Sequence, residues 1–173
     1  MSEILQAQAL PSRRKLVLTL VQFTTCLGIL SVAPLFHVQP VTGPIVNAVL
    51  FAAVVLLGTQ TTLVMCLLPS VIALSVGLLP AVLAPMIPFI MISNVILVVT
   101  FGFLRNKNYW LSIGVASFLK FIFLFSTSSI VIKLLLKKEV ASSVVAIMSW
   151  PQLATALAGG VLAFVFLKSI KKI

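Results

Sequence analysis

Acidic side chains are almost missing from this sequence. Glu3 and Glu139 stand alone against 12 lysines and arginines in 173 residues. No catalytic pair of carboxylates appears. Histidine is equally scarce, with His37 alone, so a histidine-based metal site or dyad is not expected. Cys26 and Cys66 are the two cysteines, without CxxC spacing. Both fall in apolar runs and read as buried free thiols. No glycine loop of the phosphate-cradling type occurs either. The chain is not expected to be an enzyme, nor to hold a metal or cofactor.

Charge of either sign is thin. A soluble domain carries about a quarter charged residues; here they make up 8 %, while 61 % are hydrophobic. What the chain does have is long apolar runs parted by short polar breaks, which is the pattern of transmembrane helices. The expectation is one all-α integral membrane domain over residues 1–173. Its net charge of +10 would point to nucleic acid in a soluble protein. Here the basic residues sit at the ends of apolar runs, where they anchor helices against anionic headgroups. Membrane lipid is therefore the expected partner, and nucleic acid is not.

Six spans are predicted: 15–36, 44–57, 60–76, 88–104, 109–136 and 144–167. The first follows Arg13-Arg14-Lys15 and runs to Phe36. That is too long for a signal-peptide core and has no A-x-A site after it, so it reads as uncleaved. "HVQPVTGP" (37–44) breaks the chain with two prolines and a glycine. The second span, starting at Pro44, is short for a bilayer of about 30 Å. Pro69 breaks or kinks the third. "GLLPAVLAPMIP" (77–88) is an apolar, proline-broken loop, tolerable at membrane depth only under protein cover or along a cavity. "RNKN" (105–108) and "KKEVASS" (137–143) are polar connections, and the last span is interrupted at Trp150-Pro151.

Basic residues favour the cytoplasmic side. Arg13, Arg14 and Lys15, then Arg105 and Lys107, then Lys168, Lys171 and Lys172, put both termini in the cytoplasm of a multi-pass protein of the cell membrane. Lys133, Lys137 and Lys138 then fall outside, against the trend.

One charge lies where hydrocarbon is expected. In "ASFLKFIFLF" (116–125) Lys120 is far from both ends of its predicted span. A lysine at mid-bilayer costs about 2.5–3.5 kcal/mol on insertion scales. Ser117, Lys120, Leu124 and Thr127 share one helix face, and no span contains a carboxylate to pair with the lysine. The predicted site is a polar cavity with Lys120 at its floor, in which a bound anion supplies the counter-charge. Asn47, Asn94, Gln152, Thr155, Gln39 and Trp150 are its other candidate residues. Helix contacts are predicted from small-residue spacing at Ala48 and Ala52, Ala156 and Gly160, and Gly159 and Ala163.

The stretches "QPVTGPIVNAVLFAA" (39–53), "LPAVLAPMIPFIMISN" (79–94) and "WPQLATALAGG" (150–160), set in a short, basic chain of six spans, resemble the S components of energy-coupling factor (ECF) transporters. The resemblance implies a membrane-embedded subunit that captures a small micronutrient, a vitamin among others, from outside. It also implies a transmembrane coupling subunit and two ATPase subunits as partners. In that family an alanine-x-x-x-alanine motif on the first helix meets the coupling subunit. Here the spacing occurs on the second, at Ala48 and Ala52. Two other classes stay open: a self-sufficient channel or transporter, and a structural subunit of a larger membrane complex.

Overall fold

The computed structural model describes residues 13–79, 81–135 and 148–173. Helix α1 (Arg13–Val32) carries its basic residues in the first turn and continues into a 3₁₀ turn, Ala33–Phe36. His37 closes that turn in the left-handed region, with φ 54° and its N–H donating to the Pro34 carbonyl. Helix α2 (Gln39–Leu57) starts with Pro40 in its first turn, where a missing N–H costs nothing. Pro44, one turn further, forfeits a single ladder bond and is absorbed. The second span is thus 19 residues long, and the expectation of an undersized helix starting at Pro44 is corrected.

The third predicted span is not one helix. It divides into α3 (Thr59–Met65) and α4 (Leu68–Ser75). Pro69 lies at the start of α4, and its ring and absent N–H prevent the α3 ladder from running on. The broken pair lies along α5 (Ile87–Leu104). Gly102 receives Thr59 at one end; Cys66 meets Asn94 in the middle; Ala73 packs near Phe89 and Ile90 at the other. Among the described residues five helices are long and apolar enough to cross a membrane, and Thr59–Ser75 is a shorter apolar stretch; the described residues form helices and turns, an arrangement compatible with a multi-pass membrane protein.

Part of the proline-rich loop before α5 forms a second 3₁₀ turn, Ala81–Met86. Leu79, Leu83, Met86 and Met148 bury there in a small apolar cluster with Ala73. This is the protein cover that irregular backbone at membrane depth requires. Helix α6 (Tyr109–Leu135) follows the 105–108 turn and packs along α5. The last helix, α7 (Trp150–Ser169), begins at Trp150 with Pro151 in its first turn. The expected start at 144, the end of the fifth span at 136 and the 137–143 connection lie outside the described residues.

The main core forms where α2 meets its neighbours. Leu50, Phe51, Ala53 and Val54 of α2, Leu97 and Phe101 of α5, and Ala116 of α6 are fully or almost fully buried. Phe51, Phe101 and Tyr109 meet edge to face, with centroids 4.8 and 5.5 Å apart, a geometry that aligns ring edges with ring faces. Helix α7 lies most extensively on α2. Gly159 makes that approach possible: a Cβ there would stand 2.6 Å from Asn47 Cβ and 2.8 Å from the Pro44 carbonyl. Backbone contact of this kind is how helices associate where lipid removes the hydrophobic drive.

Candidate functional site

Three helices and a proline break set the polar centre. Lys120 lies mid-way along α6, about 16 Å from Tyr109 and about 22 Å from Leu135 at 1.5 Å per residue. Neither helix end is within reach of a four-carbon stem. Its side chain is 3 % exposed and points into the bundle, while Phe118, Leu119, Ile122 and Phe125 face outwards. The Nζ atom donates to Asn47 Oδ1 at 2.7 Å and to Asn94 Oδ1 at 2.8 Å. Lys120 does not snorkel; it ties α6 to α2 and α5.

The orientation of each amide follows from what its nitrogen finds. Asn47 Nδ2 donates to the Gly43 carbonyl one turn back, at 2.9 Å. Asn94 Nδ2 donates to the Cys66 carbonyl at 3.4 Å. Cys66 sits at the α3–α4 break, where Pro69 has interrupted the ladder and left carbonyl groups seeking donors. With both nitrogens engaged on carbonyls, both oxygens turn to the lysine. The proline that splits the third span thereby helps orient the lysine's shell.

Lys120, Asn47 and Asn94 form one wall of a cavity of about 70 Å³. Gln39, Thr42, Gly43 and Val46 come from the start of α2; Pro69, Ser70 and Ala73 from α4; Ile90 from α5; Gln152 from α7. Pro34, Leu78, Leu79 and Met148 complete the lining. The first halves of α2, α5 and α7 all contribute, and none of the three has an acidic residue in its first turn. Their positive dipole ends lie on the cavity side. Glu3 and Glu139 fall outside the described residues, which contain no carboxylate side chain. An ammonium has three donors, and two of Lys120's are used. Ser70 lines the cavity, and its Oγ is buried without a hydrogen-bond partner. Among the described residues the cavity is therefore positive, donor-rich and without an anion of its own.

Of the residues predicted for the site, Lys120, Asn47, Asn94, Gln39 and Gln152 come together around this cavity. The other four lie apart from its lining. Ser117 is buried one turn from Lys120, its Oγ unpartnered. Thr127 donates to its own helix at the Phe123 carbonyl, 2.7 Å away. Thr155 packs on Gly43 and lines a separate surface groove with Trp150, which is 71 % exposed. The physical reason is depth and rotation. Thr127 lies two turns beyond Lys120, and Thr155, one turn on from Gln152, packs on Gly43 and opens on the groove lined by Pro40 and Pro44. Ser70, Thr42 and the Pro69 break were missed as site residues; the signal was a proline inside a short apolar helix, next to a serine.

The predicted helix contacts are not divided in this way. Ala156, Gly159, Gly160 and Ala163 are buried in the bundle, and a Cβ on Gly160 would stand 2.5 Å from Ile113. Ala52 is buried as well, Ala48 lies against Gly159, and both share with Ala163 the wall of an apolar groove of about 280 Å³ between α1, α2 and α7.

No protein-family model, curated protein or solved structure matches the chain.

Proposed function

We propose that the chain is a membrane-embedded binding subunit that captures a small anionic molecule in the Lys120 cavity. The observation that supports this reading is the buried lysine held by two neutral amide oxygens, 2.7 and 2.8 Å away, beside a cavity with no carboxylate among its described lining residues. A buried charge without a partner is costly, and a charge-assisted bond to an anion in a dry site offsets that cost. The cavity lies towards the starts of α2, α5 and α7. The basic clusters at Arg13–Lys15, Arg105–Lys107 and Lys168–Lys172 lie at the other ends of these passages. By the charge rule that end faces the cytoplasm, so the cavity faces outwards and both termini lie inside.

Capture alone does not move a solute uphill. The chain has no nucleotide-binding loop, and its spans have no acidic residue for ion coupling. Energy must then come from other subunits, as in the ECF transporters whose S components the sequence resembles: a transmembrane coupling subunit and ATPase subunits. Lys120→Met tests the reading, because it keeps chain length and removes the charge. The variant should insert into the membrane like the wild type. It should lose any small anion that co-purifies with the wild type in detergent, as measured by mass spectrometry. Retention of the same anion at the same stoichiometry would remove the lysine from the site.

A further inference from the structure

The same cavity restricts what the anion looks like, and three features of its wall act together. First, the described residues give it a charge capacity of one. Lys120 is the single cation among the described lining residues. A second carboxylate on the ligand would enter a dry site without a partner. Second, the wall contains no aromatic ring, although every Phe, Tyr and Trp of the chain lies within the described residues. The aromatic residues gather elsewhere, in the Phe51–Phe101–Tyr109 chain and the Tyr109–Trp110–Phe164 group. A flat heteroaromatic ligand finds nothing to stack on. Third, the space is small. At roughly 10–15 Å³ per water position the cavity holds on the order of five water-sized groups.

The wall also has two textures. Leu78, Leu79, Ile90 and Met148 are apolar, whereas Ser70 Oγ is a buried hydroxyl without a partner. A buried hydroxyl calls for a hydrogen-bond partner.

We infer that the ligand is a small, non-aromatic monocarboxylate: its carboxylate on Lys120, its short aliphatic body against Leu78, Leu79 and Ile90, and a polar substituent within reach of Ser70. This rests on the reading of the cavity as an anion site, and it narrows that reading to one chemical class.

The test uses the full chain in lipid nanodiscs, freed of endogenous ligand, with four probes under calorimetry at constant chloride. Lactate and butyrate represent the inferred class, nicotinate an aromatic monoanion, and succinate an aliphatic dianion. Lactate and butyrate should bind about tenfold or more tighter than nicotinate and succinate. Lys120→Met should abolish their binding, and Ser70→Ala should weaken lactate but not butyrate. Nicotinate or succinate binding as tightly as lactate, in a Lys120-dependent way, overturns the class and leaves the anion site standing. Lactate and butyrate binding equally to wild type and Lys120→Met overturns the anion site itself. If none of the four probes binds to wild type, the inferred class is wrong.

Discussion

Asn94→Asp places a carboxylate where the structure lacks one. The substitution is isosteric, and Asn94 Oδ1 already stands 2.8 Å from Lys120 Nζ. Two unit charges at that distance attract by about 6 kcal/mol at an effective dielectric constant near 20. Against this stands a desolvation cost of several kcal/mol for the new carboxylate. The long Nδ2 bond to the Cys66 carbonyl, 3.4 Å, is replaced by two facing oxygens, at a cost of about 1–2 kcal/mol. Asn47→Asp would sacrifice a better bond, 2.9 Å to the Gly43 carbonyl, which makes position 94 the cleaner choice. The sum for the fold lies near zero or slightly favourable. The sum for an anionic ligand does not, because its counter-charge is taken and a like charge stands beside its place. A loss of about 3 kcal/mol or more, some hundredfold in Kd, is expected. Two measurements decide it: the thermal midpoint in detergent, and the amount of co-purifying anion per mole of protein. Asn94→Asp should melt within about 5 °C of wild type, or above it, given 2–4 °C per kcal/mol at this size. It should carry no anion. Wild-type anion content would refute the pairing of ligand and lysine. A fall in midpoint well beyond that range would show that Lys120 is not a cation seeking a partner.

Four further outcomes are expected. Gly159→Leu should separate α7 from α2 and lower the thermal midpoint, since even a Cβ there meets Asn47 Cβ at 2.6 Å and the Ala48 amide nitrogen at 2.9 Å; overpacking costs of about 1–3 kcal/mol are usual, and an unchanged midpoint would mean that the two helices sit further apart. Gly102→Val should be destabilising by a similar amount, because its side chain collides with Thr59 at the head of α3; unaltered thermal unfolding would argue against the α3–α5 contact. In a variant lacking Cys26 and Cys66, a cysteine at position 107 should resist impermeant thiol reagents in intact cells, whereas external labelling would invert the proposed orientation. The isolated chain in energised vesicles should bind a carboxylate without concentrating it, and accumulation matching a complete assembly would show that no coupling partner is needed.

Hydrophobicity alone was enough to predict helices of membrane-spanning length and to place most of them. With 8 % charged residues, the runs around α1, α5, α6 and α7 admit little else, because a bilayer demands about 20 apolar residues in a helix. The lysine was legible for the same reason: one charge in a hydrocarbon run contradicts its surroundings. Proline was less legible. In α2 both Pro40 and Pro44 fall within the first turns and are tolerated, yet Pro69 divides a helix; residue type is the same, and position in the ladder decides. The companions of Lys120 were decided by tertiary structure. Asn47 and Asn94 lie 73 and 26 residues from it in sequence, and helical periodicity carries no information across such distances. Their oxygens face the lysine because the Gly43 and Cys66 carbonyls hold their nitrogens. One of those carbonyls, that of Cys66, lies at the α3–α4 break. Thr127 and Thr155 are polar at similar depth but satisfy themselves on their own helices. A sequence names the groups that need partners; only packing determines which partner each one finds.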